Sequence, residues 1–135
     1  MVGILVVSHS LSAAEGIVQI ALEMSGGSGM VKIAGIGGND TGGLGITAQK
    51  ILDSLKQILE HSNEVLILPD IGSSILSARN AIELLPPEDA SKVIIADAPI
   101  LEGALMAAIE ASLGSDLLKV AASAGEARNL RKTDH

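Results

Sequence analysis

The chain has 135 residues, is 47% hydrophobic without a single aromatic residue or cysteine, and carries a formal net charge of −7. One domain of that length buries a real core, while the acidic balance excludes nucleic acid and anionic membrane as partners, since both need a basic face. The missing cysteines exclude a disulfide scaffold and a thiolate metal site, and no apolar stretch is long enough to span a bilayer.

Val2 to Val7 is short, apolar and rich in β-branched residues, the signature of a fully buried strand. It ends abruptly in Ser8-His9-Ser10. Ser12 and Glu15 then form a capping-box pattern, which predicts a helix from about Ala13 to Met24 with Ala13, Ile17, Ile20, Ala21 and Met24 on its inner face. The run Ser25 to Gly29 stops it, with Gly26 as a left-handed cap. Met30 to Ala34 reads as a second strand. A glycine-rich loop, Gly35 to Gly45, follows; such density means unusual backbone angles or a close approach to the backbone. Thr47 caps a second helix whose stripe is Ile51, Leu55, Ile58 and Leu59. Val65 to Leu68 is a third buried strand, ending at Pro69-Asp70-Ile71-Gly72-Ser73-Ser74. The two serines are candidate caps for a third helix, with Ile75, Ala78, Ile82 and Leu85 inward, and Pro86-Pro87 ends it. Val93 to Ala96 is strand four. Asp97-Ala98-Pro99 opens another helix, with Leu101, Leu105, Ala108 and Ile109 as its core face and Gly114 as its stop. Residues 116–124 fit either a last helix or an antiparallel edge strand. Residues 128–135 look frayed and charged.

Strands and helices alternate, so right-handed crossovers give an α/β, three-layer, flavodoxin-like open sheet, mainly parallel. A strand order of 2-1-3-4 puts the switch point between strands one and three, where ligands bind at the carboxyl edge. That order sets His9 beside Asp70. Neither a linker nor an internal repeat is visible, and the whole chain, 1–135, reads as one domain. The start lacks the basic n-region of a signal peptide, which leaves the cytoplasm as the default compartment. The negative charge suits a basic protein partner.

The chemistry concentrates on His9. The other histidines are His61, in a polar helix end, and the terminal His135. A neutral imidazole attacks with one nitrogen while the other donates, and a carboxylate acceptor fixes that tautomer and stabilises the cation that forms. Asp70 supplies such an acceptor, or else simply caps its own turn. Ser10, Gly72, Ser73 and Ser74 lie where a phosphate would be seated, the last three at a helix start with its amides and positive dipole end. Gly42, Gly43 and Thr47 belong to the loop nearest the site. The set fits a histidine that takes a phosphoryl group better than a serine hydrolase, because no G-x-S-x-G elbow exists. Gly43-Leu44-Gly45-Ile46-Thr47-Ala48 formally matches a dinucleotide fingerprint, but a long loop separates it from its strand, and no P-loop is present. No metal and no cofactor is expected: Asp40, Asp70 and Asp97 could meet at one edge, yet His9 lacks a second ligand at metal spacing. The blander role of Asp97 is a cap before Pro99.

Four segments together resemble one family: Val7-Ser8-His9-Ser10, the loop Gly37 to Thr47, Pro69 to Ser74, and Asp97 to Ala104. It is the family of phosphotransfer subunits of the phosphoenolpyruvate-dependent dihydroxyacetone kinases, whose domain is similar to mannose-type enzyme IIA. The resemblance covers nearly the whole chain to about Gly114. It implies that His9 carries phosphate on Nε2, that HPr donates it, and that Asp70 is the carboxylate beside the ring. It also implies an acceptor, ADP held on the kinase's nucleotide-binding subunit, and a homodimer. Two departures stand out. Asn39 and Gly45-Ile46-Thr47 replace residues that in the family are often Thr or Asp and Gly-Thr-Ser, which removes a hydroxyl at position 46. The 135 residues themselves include no HPr-like or enzyme-I-like domain, so a separate protein is the expected source of phosphate.

The alternatives are a mannose-type enzyme IIA of a sugar transporter, a flavodoxin-like nucleotide or flavin module, and a regulatory domain without chemistry. The Asp97-Ala98-Pro99-x-x-Glu102-Gly103-Ala104 segment argues against the first, and the absence of any ring-stacking aromatic against the second. In the third case, replacing His9 would leave activity intact.

Overall fold

The computed structural model describes residues 1–26 and 31–134. Four strands, β1 (Val2–Ser8), β2 (Ile33–Gly37), β3 (Glu64–Pro69) and β4 (Val93–Ile95), form one parallel sheet in the order β2-β1-β3-β4. This is the expected α/β architecture. The helices are α1 (Leu11–Met24), α2 (Ala48–Leu59), α3 (Gly72–Glu83), the short α4 (Pro87–Ala90), α5 (Ile100–Ser112) and α6 (Leu117–Glu126), with a 3₁₀ turn at Ala127–Asn129.

The two inner strands are buried on both faces, so their alternation sorts residues between two cores rather than between core and water. Ile4, Val6, Leu66 and Leu68 face α1, α5 and α6. Leu5, Val7, Val65 and Ile67 face α2 and α3. The β1–β2 crossover through α1 covers one side, the next two crossovers, through α2 and α3, cover the other, and every strand delivers its carboxyl end to the same edge.

Several local expectations change. The second strand begins at Ile33 and runs to Gly37, so Gly35 and Gly37 belong to it and not to the loop; Met30 lies outside the described residues. Gly37 allows a close approach: a Cβ there would stand 2.5 Å from the Ser8 carbonyl oxygen. Helix α1 starts two residues early because Ser10, not Ser12, is its cap, accepting from the Ala13 amide at 3.2 Å. Gly26 follows the helix end at φ +104 as expected. Thr47 caps α2 as expected, accepting from the Lys50 amide. Ser73 and Ser74 are inside the first turn of α3, whose cap position is Ile71 and has no side-chain bond. Residues 116–124 are helical and not an edge strand: Asp116 caps α6 by accepting from the Lys119 amide at 2.9 Å. The tail is charged but not loose over its described part, since Arg128 pairs with Asp97 at 3.0 Å and Lys132 with Glu102 at 2.5 Å.

The inner faces of α1 and α5 also differ. Ala14 and Ala21 are the buried residues of α1, while Ala13, Ile20 and Met24 are exposed. Helix α5 buries Gly103, Ala104, Ala107, Ala108 and Ala111, leaves Leu101 and Leu105 half-buried and exposes Ile109. Helix α5 packs against both α1 and α6, and small side chains let them come close.

Candidate active site

The parallel pairing of β1 with β3 runs Val7 opposite Pro69, and the ladder continues as the Asp70 amide donates to the Val7 carbonyl at 3.0 Å. His9 and Asp70, 61 positions apart, are thereby fixed side by side just beyond two adjacent strand ends. His9 Nδ1 lies 3.0 Å from Asp70 Oδ1 and 3.2 Å from Oδ2. The His9 amide also donates to Oδ2 at 2.9 Å. A carboxylate only accepts, so the ring must donate through Nδ1, which leaves Nε2 with a lone pair in the neutral form. Nε2 is 2.6 Å from Ser73 Oγ, whose hydroxyl donates to it.

Asp70 is held from four directions. Besides both contacts from His9, Ser8 Oγ donates to Oδ2 at 3.0 Å and the Ile71 amide to Oδ1 at 2.7 Å. Burial pushes its pKa up, but the amide bonds from His9 and Ile71 and the neighbouring side-chain donors outweigh burial and hold it at about 2, below the ordinary 3.8. The carboxylate is thus charged at any physiological pH. The side chains of His9 and Asp70 keep 22% and 18% of their exposure, enough for a ring edge to meet a partner.

Of the other expected site residues, Ser73 reaches the ring directly. Gly72 and Ser73 are the first two residues of α3, where amides have no preceding carbonyl in the helix to bond. Ser74 is buried and turned inward, its hydroxyl and amide both donating to the Ile71 carbonyl. The Ser10 hydroxyl is engaged as the α1 cap and its amide donates to Ser8 Oγ at 3.1 Å. Gly42 and Gly43 lie in the loop over the site, bonded to the Asn39 carbonyl and side chain respectively. Thr47 is spent on capping α2.

Ser8 is a site residue that sequence reasoning missed. Its signal was a polar residue at the end of an otherwise apolar strand, where a buried hydroxyl must find a partner. Asn39 was noted only as a departure from the family pattern and not as a site residue; its place among glycines hinted at turn-making. The three aspartates do not converge: Asp40 pairs with Lys50 at 3.6 Å and Asp97 with Arg128, so Asp97 is no helix cap. Among the described residues no group of three or more His, Asp or Glu side chains could hold a metal ion. No helix there is long and apolar enough to cross a membrane. Four large apolar side chains on the segments that carry the site stay exposed: Leu11 two residues after His9, Leu44 next to Gly45 on the loop, Ile71 next to Asp70, and Leu76 one turn beyond Ser73.

A parallel sheet of this order, with a histidine–carboxylate pair at its switch point, defines an α/β domain built around one accessible imidazole nitrogen. Residues 3–121 match the family profile EIIA-man, described as PTS system fructose IIA component. Among curated proteins, the phosphoryl donor subunit DhaM of PEP-dependent dihydroxyacetone kinase 2 from Listeria innocua is 42% identical over 110 residues, covering 82% of this chain and 86% of that one. The DhaM subunit of Escherichia coli K12 is 38% identical over 122 residues, 89% of this chain. This chain spans only about a quarter of that longer relative, 25% of its length. Among solved structures, EF1359, a protein of unknown function, superposes with a TM-score of 0.78 at 34% identity over 92% of both chains. The EIIA component of the phosphotransferase system from Streptococcus agalactiae shares the fold at a TM-score of 0.68 and 13% identity, covering 98% of this chain and 97% of that one. The chain belongs to the EIIA-man family of phosphotransfer system components, and within it to the family of DhaM subunits.

Proposed function

We propose that this protein is a phosphohistidine carrier, taking a phosphoryl group from phospho-HPr on His9 Nε2 and passing it to ADP on the nucleotide-binding subunit of dihydroxyacetone kinase. The observation that carries this reading is the pairing of Nδ1 with Asp70, which leaves Nε2 alone as nucleophile beside Ser73. As Nε2 attacks in line, the new N–P bond forms while the bond from phosphorus to the donor breaks, its electron pair leaving with the donor. The ring then becomes cationic, with its proton still on Nδ1, and Asp70 lies 3.0 Å away to stabilise that charge. The Ser73 hydroxyl and the amides that open the 12-residue α3 offer donors to the phosphoryl oxygens. Ser10, Gly42, Gly43 and Thr47 act by shaping the frame around them.

The exposed Leu11, Leu44, Ile71 and Leu76 support a macromolecular partner over a small ligand, because an apolar rim about a reactive atom suits transient docking. The net charge of −7 favours a basic donor. Kinship with subunits named as phosphoryl donors of dihydroxyacetone kinase supports that kinase as recipient; a homodimer working in the cytoplasm belongs to the same proposal.

The decisive experiment mixes the protein with phosphoenolpyruvate, enzyme I and HPr. Mass spectrometry should find an acid-labile, base-stable phosphate on His9, absent in His9→Ala. Adding the ADP-loaded kinase subunits and dihydroxyacetone should discharge it. Discharge only to a sugar transporter would assign a mannose-type enzyme IIA instead.

A further inference from the structure

Taking His9 as the phosphorylated residue, we propose that Asn39 is a positioning residue for it, acting through a knotted loop that grips the His9 carbonyl. That carbonyl accepts two amides, from Gly45 at 2.8 Å and from Gly38 at 3.2 Å. The ring is therefore held at Nδ1 by Asp70, while its backbone is held at N–H by Asp70 and at C=O by the loop. Gly38 and Gly45 are seven residues apart, and they reach one oxygen only because the segment between them folds back on itself.

Asn39 makes that fold. Its Oδ1 accepts from the Thr41 amide at 3.0 Å, the Thr41 hydroxyl at 2.8 Å and the Gly43 amide at 2.8 Å. Its Nδ2 donates to the Leu44 carbonyl at 3.3 Å, and its own amide to the Gly43 carbonyl at 2.9 Å. Gly38 at φ +83 and Gly45 at φ +145 make turns on either side that a side chain would strain. Lys50 Nζ ties the same turn to α2 through the Gly38 carbonyl at 2.8 Å. Asn39 is itself exposed, so its bonds serve the loop and not the core. Without Oδ1 the two glycine amides separate, the His9 peptide can rotate, and the ring leaves the line of attack, where small misplacements cost much rate.

The test compares Asn39→Ala and Asn39→Asp with the wild type; Asp keeps the acceptor for all three donors and gives up only the long 3.3 Å bond to the Leu44 carbonyl. Phosphorylation by phospho-HPr is measured at saturating and limiting donor, ring ¹⁵N resonances of unphosphorylated protein by NMR, and unfolding by circular dichroism. Asn39→Ala should lower the saturated rate about 10-fold with KM within about twofold, lose the single Nδ1–H tautomer, and unfold near the wild-type temperature. Asn39→Asp should recover to within about threefold of wild type. A full rate for Asn39→Ala, a deficit confined to KM, or an Asn39→Asp as impaired as Ala would overturn the proposal. The ring resonances read positioning without any phosphorylation, so a wild type that never took phosphate would sink the carrier reading and leave this one still decided.

Discussion

Replacing Asp70 with Asn removes one charge and little volume, and it should uncouple two effects that the carboxylate joins. The first is stability. The folded pKa of about 2 lies below the ordinary 3.8, a shift worth roughly 2 kcal/mol at pH 7. The group is depressed, so its contribution is whole above the unfolded value and fades as pH falls through the folded one. About half should be gone by pH 3. Asp70→Asn has no such proton to gain. Its deficit against wild type should therefore be roughly 2 kcal/mol from pH 5 to 7 and shrink towards pH 3. Denaturant titrations followed by far-ultraviolet circular dichroism would measure this; intrinsic fluorescence is silent in a chain with no Trp or Tyr. The second effect is chemical. An amide can donate its N–H to Nδ1, which moves the proton to Nε2 and blocks the nucleophile. Phosphate uptake by His9 should fall at least 100-fold, more than a loss of stability explains in a protein still folded. If the deficit stayed constant between pH 3 and 7, the anchoring of a charged Asp70 by four donors would be wrong. If Asp70→Asn were phosphorylated at full rate, the tautomer argument would fail.

Three other substitutions address separate parts of the site. Gly37→Ala places a Cβ 2.5 Å from the Ser8 carbonyl oxygen; it should destabilise the fold by about 1–3 kcal/mol and slow phosphorylation, both checked on one preparation. Ser73→Ala removes the hydroxyl on Nε2 but no core contact, so the melting temperature should hold while the uptake rate drops about 10-fold. Leu44→Ser should raise KM for phospho-HPr several-fold at unchanged saturated rate, because an exposed apolar side chain on this loop is available for docking under the proposed function.

How much of the molecule was legible beforehand differs from element to element. Helix α2 was read well: Ile51 and Leu55 are buried and Ile58 and Leu59 pack at the edge, because a strongly two-sided sequence leaves one choice of inner face. Helices α1 and α5 were read only in part, for the opposite reason: Ile17, Ala21 and Ala108 do face the core, while Ala13, Ile20, Met24 and Ile109 do not. They carry apolar residues on more than one face, so helical spacing alone fits several choices of inner stripe. The contact between α1, α5 and α6 instead selects alanine and glycine, which let backbones approach, and sends Ile20, Met24 and Ile109 outward. Burial is a property of the neighbour as much as of the residue. The capping box at Ser12 failed similarly, since Ser10 sits two positions nearer the strand end and its oxygen accepts from the Ala13 amide.

The chain by itself determined four strands, their alternation with helices, and one histidine at the end of the first of them, all matters of short-range pattern. It also held the carboxylate, since Asp70 ends an apolar run as His9 does. Only the tertiary structure decided that Ser8, Ile71 and the loop amides close around this pair. Those contacts join residues up to 62 positions apart, and their geometry follows from which strand lies beside which and how each turn bends, information that no local period carries.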